Sequence, residues 1–245
     1  MATTTDSPTR VVDLTTPRGV DALITRWPLS LVSGRSKGRR EPRPWVRTGL
    51  FLGALAPLAY ILIRAQQGNL GANPIAQMEN ELGLTALVFL VASLACTPAR
   101  WLFGWTWQIR VRRQLGLFAF FYATLHFLTY LTLDLTFDWG TIVEDVAKRP
   151  FITVGFLAFL ILVPLAITST NGWVKRLGYF RWLRLHQLVY LAGALAVLHF
   201  IWRVKIDLSQ PLTYAVIVGA LLGIRAVFWL RKRNQTRVKA RAPQA

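Results

Sequence analysis

The sequence predicts an all-α membrane protein with six transmembrane helices and both termini on the cytoplasmic side. Three observations carry this. Apolar residues fall in six runs that can each reach the ~20 residues a spanning helix needs. Positive charge gathers in alternate connections between the runs, and the period-two alternation of a β-barrel is absent. A net charge of +18 could suit a nucleic-acid binder, but the basic residues lie between apolar runs rather than on a soluble domain. They suit anionic lipid headgroups.

Residues 1–45 are polar, rich in Thr, Arg and Pro, and are expected to form a disordered basic cytoplasmic extension. No apolar core follows a charged start, as a signal peptide requires, and Arg39-Arg40 lacks the hydrophobic stretch of a twin-arginine signal. The six-helix domain is expected over residues 46–230, with a basic cytoplasmic tail over 231–245. Its runs are Thr48 to Ile63, Leu84 to Cys96 lengthened by its flanks, Leu115 to Leu133, Phe151 to Thr168, Leu185 to Trp202, and Leu212 to Leu230.

Orientation follows from the connections. PARWLFGWTWQIRVRRQ after the second run, NGWVKRLGYFRWLR after the fourth and the C-terminal RKRNQTRVKARA are basic. QQGNLGANPIAQMENE, DLTFDWGTIVEDVAKRP and KIDLSQP carry most of the later acids and are expected outside. Arg64 and Arg203 are expected to reach the outer interface, Arg225 to snorkel inward, and Pro57 and Pro164 to kink their helices. Cys96 is the only cysteine, which excludes an internal disulfide, covalent haem attachment and cysteine-ligated iron–sulfur clusters.

All three histidines, His126, His186 and His199, lie in apolar runs, and none lies in a loop. A lone intramembrane histidine often only bonds a neighbouring helix; three of three point to ligation. Zinc sites usually add cysteine or carboxylate ligands, and the runs as bounded hold no Asp or Glu. Haem iron needs only one or two axial imidazoles, and its apolar macrocycle suits a helix bundle, so non-covalent haem b is the economical cofactor.

Depth pairs the ligands. His126 lies twelve residues beyond Gln114 and His199 fourteen beyond Leu185, in runs pointing the same way, so their depths differ by only about 3 Å. They are expected to clamp one haem toward the outer leaflet. His186 lies about 20 Å nearer the cytoplasm. Arg112 or Arg113 occupies the partner position on the third run, and thirteen helical residues rotate His186 about 140° from His199 unless Gly193 permits an adjustment. A second haem, a flavin, a quinone or a plain interfacial position remain as alternatives at His186. Arg110, Arg112, Arg113, Lys175 and Arg176 are candidates to hold propionates or an anionic flavin, beside the simpler role of inner-leaflet anchoring.

GLGANPIAQMENELG, TPARW, RVRRQLGLFAFFYATLHFLTY, KRPFITVGF, AITST, LRLHQLVYL and LHFIWRVK, in this order across residues 46 to 230, resemble the MsrQ (YedZ) family. Its members are haem-binding membrane subunits of a bacterial protein-methionine-sulfoxide reductase system, similar in their core to ferric reductases and NADPH oxidases. The resemblance implies haem ligation by His126, His186 and His199, with arginines where those larger relatives have a fourth histidine. It implies a bacterial inner-membrane location and electrons passed outward to MsrP, a periplasmic molybdoenzyme. The implied donor is the quinone pool or a cytosolic flavin reductase, with FMN as a possible further cofactor. The residues themselves add that about fifteen polar residues follow the last run and no strand-linked G-x-G-x-x-G occurs. The expectation is therefore an electron conduit rather than the catalytic subunit. Its rivals are a stand-alone ferric or oxygen reductase, and a small transporter or scaffold whose histidines line a proton path.

Overall fold

The computed structural model describes residues 44–104, 107–135 and 137–241. The expected extension over residues 1–45 therefore lies almost wholly outside the described residues, as do the last four residues of the tail. The described chain is helical, with no strand among the described residues. Its helices are α1 (Pro44–Gln66), α2 (Pro74–Phe103), α3 (Trp107–Thr129), α4 (Trp139–Lys148), α5 (Pro150–Ile167), α6 (Asn171–Leu177), α7 (Tyr179–His186), α8 (Val189–Arg203) and α9 (Ser209–Arg241). A π-helical turn, Tyr130–Asp134, continues α3. Six segments are long and apolar enough to cross a membrane: Thr48–Gln66, Pro74–Phe103, Val111–Asp134, Pro150–Ile167, Tyr179–Arg203 and Ser209–Arg231.

The second span corrects the sequence reading. It begins at Pro74, not near Leu84, so part of the stretch taken as an outer loop is helix. Asn73 caps it by accepting from the Ala76 N–H, with Pro74 in the first turn where no N–H is needed. Of the polar side chains in its first two turns, Gln77, Asn80 and Glu81 have partners, while Glu79 Oε1 has none. Arg64 pairs with Glu81 at 2.5 Å, and Gln77 donates to the same carboxylate at 2.7 Å. Arg64, expected merely to reach the interface, thereby ties the end of α1 to α2.

The fifth span is also not the continuous helix expected. It breaks at Gln187 and Leu188 into α7 and α8, where bonds shorten to Leu188 N–H on Leu185 C=O and Tyr190 N–H on Gln187 C=O. The adjustment sits there and not at Gly193, which is buried because a Cβ at that position would lie 3.2 Å from a Leu94 methyl.

Helices α2 and α3 pack against each other, α5 packs against α8, and α9 against α8 and α2. In lipid the helices gain nothing from leaving water, so close approach and hydrogen bonds between helices hold the bundle. Small residues mark the closest contacts. Ala119 and Ala192 are fully buried beside Leu90 and Leu162, and Ala54 is buried with Ile61, Leu82, Phe118 and Tyr122. Large apolar side chains such as Val216, Leu52 and Leu160 face outward, as lipid allows.

Two inter-helix bonds repair proline sites. Pro57 interrupts α1, and one residue later the Tyr122 hydroxyl accepts from Leu58 N–H at 3.2 Å and donates to Ala54 C=O at 2.6 Å. Pro98 cannot donate to Leu94 C=O, and Arg225 on α9 supplies that bond at 2.6 Å. Arg225 was expected to snorkel to the inner surface. It turns into the bundle instead, donating also to the Tyr190 hydroxyl at 2.7 Å with its guanidinium 4.8 Å from that ring.

Candidate functional site

A cavity of about 330 Å³ opens between α2, α3, α5 and α8, at the end where α2 and α5 begin and α3 and α8 finish. Its deeper walls are Leu87, Leu90, Ala119, Ala123, Phe159 and Leu162; its other end carries Glu79, Asn80, Asp134, Arg149 and Arg203. That volume lies in the range of small-molecule and cofactor sites.

His126 and His199 both line this cavity, as the depth comparison required. Their ring centroids are 6.2 Å apart, with planes at 73°. Two imidazoles sharing one metal at the usual ~2.0–2.1 Å from each nitrogen would place their centroids about 6.4 Å apart. The observed spacing fits one iron between them.

The rings are also set in the required tautomer. His126 Nδ1 lies 3.0 Å from Glu79 C=O, and His199 Nδ1 lies 2.8 Å from Phe151 C=O. A carbonyl only accepts, so each Nδ1 carries the proton and each Nε2 keeps its lone pair for a ligand. Neither Nε2 has a hydrogen-bond partner among the described residues. The two anchoring carbonyls belong to the second turn of α2 and the first turn of α5, so four helices fix two imidazoles.

Two glycines make this possible. A Cβ at Gly155 would lie 2.6 Å from His199 Nδ1, and one at Gly83 would lie 3.2 Å from His126 Nδ1. Glycine inside a helix lowers its stability, and here the missing side chain is the space each ring occupies. Sequence reasoning missed both. The available signal was an isolated glycine within each apolar helical run, one at the start of the second and one early in the fourth.

His186 is not at this site. It ends α7, where its Nε2 lies 3.0 Å from Thr168 Oγ1 and its ring stacks against Trp182 at 4.1 Å. Trp182 in turn donates to Thr168 C=O at 2.9 Å. Of the basic candidates, Arg112 donates to Thr97 Oγ1 at 3.4 Å, while Arg113, Lys175 and Arg176 are exposed; the Arg110 side chain lies outside the described residues. None of these described basic residues lines the cavity.

The statement that the spans hold no acid is overturned. Glu79 and Glu81 lie within the second membrane-length helix and Asp134 ends the third span. Glu79 and Asp134 line the cavity. The cause is the longer α2 and the π turn, neither of which an apolar count detects. Cys96 is buried and free.

Residues 82–197 match the family described as ferric reductase like transmembrane component. That stretch contains His126 and His186 and ends two residues before His199. Over 191 residues the chain is 53% identical to the protein-methionine-sulfoxide reductase heme-binding subunit MsrQ of Rhodospirillum rubrum, covering 78% of this chain and 92% of the relative. The subunit of the same name from Deinococcus radiodurans is 53% identical over 186 residues, 76% of this chain and 91% of that one. That of Herminiimonas arsenicoxydans is 50% identical over 198 residues, 80% of this chain and 90% of the relative. With half its residues shared across nearly the whole of these relatives, the chain belongs to the MsrQ family of heme-binding subunits.

Proposed function

We propose that this chain is a b-type haem subunit of the bacterial inner membrane, relaying electrons outward to the periplasmic MsrP for reduction of methionine sulfoxide in proteins. The observation that carries the haem assignment is the His126–His199 pair: 6.2 Å between rings, both Nδ1 atoms held by carbonyls, both Nε2 atoms free at one cavity. Bound there, haem iron supplies reversible one-electron transfer. The chain's own residues do the rest. Glu79 and Phe151 carbonyls orient the imidazoles, Gly83 and Gly155 leave room for them, and Leu90, Ala119 and Leu162 keep the inner wall dry.

The outward direction rests on the charge bias, which places both termini in the cytoplasm and the cavity end outside. The donor in this scheme is the quinone pool or a cytosolic flavin reductase, with FMN as a possible bound flavin. An inner haem at His186 requires its Nε2 to exchange the Thr168 hydroxyl for iron. The match to ferric reductases favours one second reading, a stand-alone ferric or oxygen reductase.

Visible spectra of the detergent-purified protein, oxidised and dithionite-reduced, test the haem assignment. The expected result is a Soret band with low-spin character that His126→Ala or His199→Ala abolishes and His186→Ala retains. A haem-replete preparation without a Soret band refutes the assignment. Reoxidation of the reduced protein by the periplasmic partner supports the relay, whereas rapid reduction of ferric chelates without any partner supports the second reading.

A further inference from the structure

Arg203 is a charge at the cavity that the two imidazoles do not explain. It lies four residues beyond His199 on α8, one turn further along the same helix face. It lines the cavity half-buried, and its guanidinium donates to Asn80 Oδ1, a neutral amide. Among the described residues it takes part in no ion pair. A guanidinium has five N–H donors, and a charge removed from water is stable only when paired and hydrogen-bonded. Glu79 attracts it through space but makes no direct ion pair with it, and its Oε1 is buried with no hydrogen-bond partner. The second cation at the cavity, Arg149, is already committed to Asp145 at 2.9 Å.

The cavity has one apolar end and one end carrying these charges. A ligand that is an apolar plate with acid groups on one edge matches both ends. We infer that Arg203 binds a carboxylate of the cavity ligand, a propionate of the haem, and so sets the orientation in which that haem is held. The inference rests on the haem assignment above and adds a residue to it. A guanidinium suits this role because its planar fork meets a carboxylate with two parallel bonds. Arg203 is in these terms a cofactor-positioning residue. Asn80 holds the guanidinium from the α2 side.

The test compares two probes on the full chain, produced with little haem and loaded in detergent: haem, and haem with both propionates esterified. Wild-type protein is expected to bind the acid about ten- to a hundredfold more tightly than the ester, the range for a desolvated charge-assisted pair. Arg203→Gln is expected to bring the two within about threefold by weakening only the acid, and Arg203→Lys to keep part of the preference. The propionate bending band in resonance Raman is expected to shift in Arg203→Gln and not in His186→Ala. Equal affinity of wild-type protein for acid and ester overturns the inference, and so does an Arg203→Gln protein that keeps the full preference. The wild-type comparison decides the matter even if Arg203→Gln fails to fold. Wild-type protein that takes up neither probe refutes the haem assignment itself, a separate outcome.

Discussion

The two ends of this bundle use the same side chain in opposite ways. At the cavity end, His126 and His199 donate from Nδ1 to backbone carbonyls and leave Nε2 free. At the other end, His186 has its Nε2 against the Thr168 hydroxyl and its ring against Trp182, and it does not line the cavity described above. What separates the two settings is the backbone opposite the ring. Gly155 and Gly83 face the two cavity rings. Among the described residues no glycine is in such contact with His186.

That contrast can be broken most sharply at Gly155. A Cβ there would sit 2.6 Å from His199 Nδ1, so Gly155→Ala must displace the ring. We expect bound haem to fall by more than about tenfold, read as Soret absorbance per protein, with the helical content retained. Gly83→Ala, with its closer atom at 3.2 Å, is expected to do less. It should lower haem occupancy by about twofold and shift the low-spin electron paramagnetic resonance signal as His126 tilts.

Tyr122→Phe separates scaffold from site. The hydroxyl joins α3 to α1 through two buried backbone groups, so its loss is expected to cost about 1–3 kcal/mol of stability. The melting temperature in detergent should drop while the haem spectrum stays unchanged; a changed spectrum would mean that the wedge also sets the site.

The smallest effect belongs to Asp138, the exposed cap of α4. The Thr141 hydroxyl and then the Gly140 N–H hold its carboxyl below the ordinary aspartate value. A depressed carboxylate stabilises the fold above the ordinary value, and that contribution disappears as pH falls through the depressed one. The acid limb of a melting curve should therefore flatten slightly in Asp138→Asn, without any change in haem content.

The fold class was legible because lipid demands long apolar helices, and six such runs stand out in the sequence. The His126–His199 pairing was legible because depth along a helix is a simple count. The rest depended on contacts between distant residues. Glu79 and Glu81 looked like loop residues since an apolar count cannot see Arg64 and the cavity that accommodate them. The break at Gln187–Leu188 left no proline or glycine at that point. The amphipathic α4 and the π turn before it were likewise hidden inside an acidic connection. The glycines were visible, but their purpose needed the histidines across the interface.

The bond from Arg225 to Leu94 bears on how the chain is made. It spans 131 residues, from the last helix to the second. While the chain is being synthesised and inserted, the second helix enters the bilayer with a carbonyl that Pro98 has deprived of its donor. In hydrocarbon that group has no water to turn to. It must wait for the final helix, whose arrival satisfies it and brings the Arg225 charge out of the lipid. A nascent chain halted after five helices keeps an unsatisfied carbonyl in the membrane, and a sixth helix without the second leaves Arg225 with Tyr190 but without its carbonyl. The bond meets both needs at once, which makes this contact a natural point at which assembly is completed.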